Sequence, residues 1–249
     1  MNTEILELKR ANRMVDRSSS SILSRMKVRK VIGNLIRNRS VQRMKKGVGE
    51  KSYMNLGSGG NIFKDFINVD YEWSKELDLC WDARKGFPLR SNSLKGIFTE
   101  HTLEHFTWEE AIKSVLPECF RVLEVGGTIR ICVPNAEMCI EKYQEAKAKG
   151  EVGSTFDATY DGGNRLPLTP MMHVNNTFRR IYEPLQVGHK MAYDFQTLEY
   201  FLHCVGFVDI TKESYLHGRD PMLLVDYKKR ASESLYVEAT KPLIASAVR

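Results

Sequence analysis

The chain has 249 residues, 42% of them hydrophobic and 27% charged, which is enough to bury a full core and form one large domain with an appendage. It contains no run of about 18 apolar residues, the length a membrane-spanning helix requires. The net charge of +6 is uneven: residues 1–50 hold 13 Lys and Arg against 4 Asp and Glu, and the remainder holds 24 against 27, so the body is nearly neutral and does not read as a nucleic-acid binder.

The first residues lack an apolar signal-type segment and carry Glu4, Glu7 and Asp16, which predicts no cleaved secretion signal. Val28, Val31, Ile32, Leu35 and Ile36 follow the spacing of an amphipathic helix whose polar side carries Arg29, Lys30 and Arg37. A boundary near Gly47–Gly49 sets off a basic helical arm, residues 1–48, from a domain spanning 49–249. Its charge and apolar stripe predict contact with an anionic membrane surface or a protein partner. Packing on the domain's own sheet is the other reading.

From Lys51 onward short apolar runs alternate with helical patterns. Strands are predicted at Tyr53–Leu56, Phe66–Val69, Gly96–Thr99, Thr128–Val133, Phe207–Thr211 and Leu235–Ala239, and helices at Thr107–Leu123, Ala136–Lys149 and Asp194–Cys204. That alternation predicts a doubly wound α/β sheet of parallel strands. Residues 150–190 read as a long irregular insertion, a lid or a binding loop in which Asp157 and Asp161 could meet a polar ligand. The five cysteines are scattered and form no CxxC pair, which predicts a reducing, cytoplasmic setting without disulfides or a cysteine zinc site.

The stretch Leu56-Gly57-Ser58-Gly59-Gly60 carries the first functional signal. Glycines at a strand end let the backbone turn sharply and approach a ligand. The following strand ends in Asp70, a carboxylate suited to two ribose hydroxyls. Nine residues separate Gly60 from Asp70, where a dinucleotide fingerprint needs about 20. The turn therefore has room for about one helical turn and disfavours NAD and FAD.

Taken in order, these pieces resemble the class I S-adenosylmethionine-dependent methyltransferases, and more closely the type-11-like branch, over about Ser52 to Lys241. Leu56, Gly57, Ser58 and Gly59 stand at that family's glycine-rich motif, Asn68-Val69-Asp70 at its acidic second-strand end, and Asp82 with Ala83 at its adenine-binding pair. Glu100-His101-Thr102-Leu103-Glu104-His105 resembles the branch's run after the fourth strand, and Glu124-Val125-Gly126-Gly127 its turn before the fifth. Two framework positions depart from the pattern: Lys95, where an acid is usual, and Glu124-Val125, where Lys-Pro is usual. The resemblance implies a Rossmann-like methyltransferase sheet that binds S-adenosyl-L-methionine through Leu56, Gly57, Ser58, Gly59, Asp70, Tyr71, Asp82, Ala83 and Glu100. Tyr71, Trp73 and Trp81 could wall the adenine or pack in the core.

It also implies methyl transfer to a small molecule or glycan, with a saccharide or glycoconjugate hydroxyl as acceptor; the neutral body predicts no nucleic acid, and the cysteines a cytoplasmic location, peripheral to the inner membrane face if the arm anchors there. A hydroxyl nucleophile needs a base. His101 is the first candidate, with Glu104 and His189 behind it, and no metal is expected. Two alternatives stand beside this reading. One is a catalytically silent methyltransferase-like subunit that holds a partner. The other is a zinc hydrolase, because His101 to His105 spells H-x-x-E-H, which on a helix would put both histidines on one face.

Overall fold

The structure, a computed structural model, describes residues 22–39, 48–150, 170–171, 174–175, 181–182 and 187–243. Asp157 and Asp161 lie outside the described residues. Strands β1 (Tyr53–Leu56), β2 (Phe66–Asp70), β3 (Leu79–Cys80), β4 (Leu94–Glu100), β5 (Leu123–Pro134), β8 (Val208–Glu213) and β9 (Ser234–Thr240) form one sheet in the order β3-β2-β1-β4-β5-β9-β8. A separate antiparallel pair, β6 (Ile181–Tyr182) and β7 (Val187–Gly188), belongs to the insertion. The first five strands of the main sheet are parallel, as expected. The last pairings are not: β9 runs antiparallel to both β5 and β8, joined to β8 by an irregular connection instead of a crossover helix. The fold is Rossmann-like with one reversed strand.

The inner strands are buried on both faces along most of their length, while the edge strand β8, Val208–Glu213, has no fully buried residue. One face carries Met54, Ile67, Ile97, Ile131 and Val237, all at most 1% exposed, packed in one cluster with residues of two helical segments. The first segment runs from Trp108 to Val122. A reciprocal Thr107–Glu110 capping box opens it, a π-helical turn follows at Ala111–Val115, and α2 (Leu116–Val122) closes it. The wider turn comes just ahead of Pro117, whose ring and missing N–H cannot continue a regular ladder. The second, α4 (Phe195–Val205), starts at Asp194, whose side chain accepts from the Thr197 N–H, and ends on Gly206 at φ +105°. Between them, α3 (Ala136–Ala148) is capped by the Asn135 side chain.

The other face carries Phe66, Phe98, Cys132 and Tyr236, covered by Phe63 and by Tyr215, Leu223 and Val225 of the β8–β9 connection. That connection is fixed by a buried ion cluster. Arg130, fully buried in β5, spends all five N–H donors: two on Asp226 (2.8 and 2.6 Å), one on Glu238 (2.9 Å), and two on the carbonyls of His217 and Ser214.

The basic segment is not a detached arm where it is described. Helix α1 (Ile22–Ile36) lays Ile32 and Ile36 on Trp73, Leu77 and Cys80 beside β3. Val31 and Leu35 stay 59% and 51% exposed. The apolar stripe is therefore split: its inner half docks the helix on the domain, and its outer half faces solvent with Arg29 and Lys30.

Candidate functional site

The strand order reverses between β1 and β4, and ligands of open α/β sheets sit at the carboxyl ends of strands beside such a switch. Residues 57–65 link β1 to the parallel β2 without a helix, so the expected helical turn is absent. Gly57 takes φ +75°, and a Cβ there would overlap the Thr102 side chain, so the β1 and β4 ends meet in van der Waals contact. The N–H groups of Gly57 and Ser58 both donate to the Val69 carbonyl. Ser58 is buried, and its hydroxyl has no hydrogen-bond partner among the described residues. Leu56 is core, 4% exposed.

Asp70 closes this turn. Its two oxygens accept from the Gly59 N–H (2.8 Å) and the Glu72 N–H (2.7 Å), which leaves each with a further lone pair. Burial pushes the Asp70 carboxyl up despite those bonds. Glu72, which the sequence did not single out, is pushed up to about 7 by burial and by the neighbouring Asp70 charge.

Beside them Tyr71 is 45% exposed, with the Arg37 guanidinium 3.6 Å from its ring centre and donating to its carbonyl at 2.9 Å. Asn38, at φ +59°, accepts the Asp82 N–H at 2.9 Å. The end of α1 thus borders the turn, a role its basic composition did not reveal.

The remaining cofactor candidates are more engaged with the protein than expected. Asp82 caps the turn Ala83–Lys85 and holds Arg84 through both oxygens, at 2.8 and 2.9 Å, which depresses its carboxyl below the usual range. Ala83 is core. Trp73 and Trp81, each 4% exposed, belong to the core clusters, so Tyr71 alone of the three aromatics offers a surface. Glu100 accepts the Tyr227 N–H at 3.0 Å, tying β4 to the β8–β9 connection.

The three residues expected to carry chemistry do come together. His101, at φ +49°, pairs its Nε2 with the Ser234 hydroxyl (2.8 Å) and sets Nδ1 3.6 Å from the Glu104 carboxylate. His189 Nε2 lies 3.8 Å from the same Glu104 oxygen, and all three side chains are at most 5% exposed. The N–H groups of Lys190 and Met191 both donate to the Glu104 carbonyl, which stitches the segment after β7 to the end of β4. Two further residues border them, of which the sequence reading had named His105, in the H-x-x-E-H run, and not Tyr193. His105 pairs Nδ1 with the Gly188 carbonyl at 3.2 Å, and burial pushes its imidazole down. Tyr193 is fully buried, its hydroxyl has no partner among the described residues, and burial and the Glu104 charge push it up.

The H-x-x-E-H reading needed one helix carrying both histidines. The left-handed backbone at His101 and the single 3₁₀ turn at Leu103–His105 do not provide it. All five cysteines are free thiols, and no described helix is long and apolar enough to cross a membrane.

No protein-family model matches the chain, and no curated protein matches it in sequence. Solved structures do resemble it. A possible histamine N-methyltransferase from Thermotoga maritima, S-adenosylmethionine-dependent, is 15% identical, with 76% of this chain and 81% of that one covered at a TM-score of 0.42. A second S-adenosylmethionine-dependent methyltransferase, from Archaeoglobus fulgidus, is 14% identical over 86% and 94%, with a TM-score of 0.44. A third, from Mesorhizobium loti, is 16% identical over 80% and 95%, with a TM-score of 0.43.

Proposed function

We propose that this protein is an S-adenosylmethionine-dependent methyltransferase acting on a hydroxyl of a saccharide or glycoconjugate. The observation that carries the cofactor is the helix-free turn at the β1 end. It holds a buried Ser58 hydroxyl without a partner among the described residues, and Asp70 stands across it with lone pairs to spare. Ser58 and the Gly57–Gly60 backbone would meet the amino-acid end, Asp70 the ribose, and Tyr71 with Asp82 and Ala83 the adenine. A dinucleotide would need the helix that is absent here. When bound, the cofactor supplies a methyl group on a sulfonium.

The other half of the site supports an acceptor whose proton must be removed. An unactivated sugar hydroxyl is a poor nucleophile, so its proton must leave as the new oxygen–carbon bond forms and the carbon–sulfur bond breaks. His101 takes that proton at Nε2, where the acceptor hydroxyl displaces the Ser234 hydroxyl, Glu104 steadies the imidazolium from 3.6 Å at Nδ1, and His189 flanks Glu104. Burial of all three excludes water from the transfer. Val31, Leu35, Arg29 and Lys30 on the outer side of α1 form the surface for a membrane face or protein partner.

Transfer of a labelled methyl group from the cofactor to a panel of glycans, proteins and nucleic acids tests the reading. Label should enter glycan oxygen, and His101→Ala should lower kcat about 10²- to 10⁴-fold with cofactor affinity retained. Label entering protein or nucleic acid alone would overturn the acceptor class. A variant that loses cofactor yet keeps its turnover at saturation would make His101 a cofactor anchor instead.

A further inference from the structure

We infer that Glu104, His105 and His189 form a binding site for one divalent transition-metal ion. One carboxylate oxygen and one nitrogen from each histidine lie within 4.8 Å of one another. With metal–ligand bonds of about 2.0–2.2 Å, two donors on one ion sit roughly 3–4.3 Å apart. The Glu104–His189 pair is already at 3.8 Å, so sub-ångström side-chain rotations complete the set.

The chemistry of the surroundings is that of a metal site. Glu104 is 1% exposed, and the imidazoles of His101 and His189 lie 3.6 and 3.8 Å from its carboxylate. The pairing of His105 Nδ1 with the Gly188 carbonyl fixes that nitrogen as the N–H donor, which leaves the Nε2 lone pair as the one that can bind a metal. The His105 and His189 rings meet edge to face with centres 5.1 Å apart. His101, held by Ser234, sets Nδ1 3.6 Å from the same Glu104 oxygen that faces His189. The buried Tyr193 hydroxyl, without a hydrogen-bond partner among the described residues, feels the Glu104 charge. Lys190, next in the chain to His189, is drawn off onto Glu110 at 3.2 Å.

Two imidazoles and one carboxylate suit zinc, manganese or iron(II) and leave coordination positions open, unlike the all-oxygen sets that magnesium prefers. An acceptor hydroxyl in an open position would lose its proton more readily to His101. That role rests on the methyltransferase reading; the ion site does not.

The test titrates zinc, manganese and magnesium separately into untagged, chelator-stripped full-length protein, without cofactor. Zinc or manganese should bind at one ion per chain and magnesium at least about 100-fold more weakly. His105→Ala and His189→Ala should each lose at least about 100-fold in affinity, Ser234→Ala about tenfold through its hold on His101, and the exposed His203→Ala nothing. If the alanine variants unfold, X-ray absorption of the wild-type cobalt form gives the answer, with two imidazoles expected around the ion. Absence of stoichiometric binding, an unchanged affinity in both folded ligand variants, or an absorption spectrum without imidazole ligands would overturn the site. S-adenosylhomocysteine binding, read without metal, fails or succeeds independently and reports on the methyltransferase reading alone.

Discussion

Gly57→Ala perturbs the point where the candidate cofactor turn touches the end of β4. Two costs add. A left-handed backbone at φ +75° costs an alanine about 1–2 kcal/mol. The added Cβ overlaps the β-carbon and both γ-atoms of Thr102, and overpacking of this kind costs typically about 1–3 kcal/mol. Roughly 2–5 kcal/mol should therefore be lost, a large part of the stability of an ordinary domain. The two terms separate in a double-mutant cycle. Thr102→Gly removes the overlap and leaves the backbone strain, so Gly57→Ala should cost only about 1–2 kcal/mol in that background. Urea unfolding of the four proteins gives the cycle, and calorimetry with S-adenosylhomocysteine gives the functional cost. A Gly57→Ala protein within about 0.5 kcal/mol of wild type, or a coupling near zero, would refute this account of the turn.

Glu72 makes stability fall as pH rises. Its folded pKa of about 7 lies above the usual 4.5, so the folded state holds its proton longer; that advantage is complete below pH 4.5 and is lost through pH 7. Glu72→Gln should thus match wild type near pH 4.5 and exceed it by about 1–3 kcal/mol at pH 8, the full shift being discounted for partial exposure. Denaturant curves at both pH values check it, and a larger gain at the acidic end would reverse the assignment. Ile32→Ala should cost about 2–4 kcal/mol because it opens a cavity over Trp73 and Leu77. Val31→Ala should stay within about 0.5 kcal/mol, and the opposite ranking would mean that α1 docks by its other side.

What was legible in the sequence was local. The strand at Tyr53–Leu56 has the predicted ends, and the helical stretch after Thr107 and the helix after Asp194 begin where their caps stand, because apolar runs and caps act within a few residues. The two-residue β3 was missed; it is too short to show alternation and exists by pairing with β2. The reversed β9 was missed because strand direction is set by the connection, and that connection is pinned by Arg130 to Asp226 and Glu238, 96 and 108 residues away. His101, Glu104 and His189 were named from the sequence, but His105 was read as a partner of His101 on a helix. The backbone turns left-handed at His101, and the ring beside His105 belongs to His189. Arg37 and Asn38 lie in a segment whose charge suggested an outside partner, while its apolar inner face fastens it to β3.

We propose a nucleoside-type cofactor held by the Gly57–Gly60 turn and Asp70. That binding is tested most directly by isothermal titration of S-adenosylhomocysteine into wild-type protein and Asp70→Ala, with NAD as the contrasting ligand. The account predicts saturable one-to-one heat with S-adenosylhomocysteine and none with NAD. Asp70→Ala should lose about 1–3 kcal/mol, the worth of hydrogen bonds to a charged group. Folded protein that gives no heat with S-adenosylhomocysteine at millimolar concentration, or that binds it equally well without Asp70, would contradict the account.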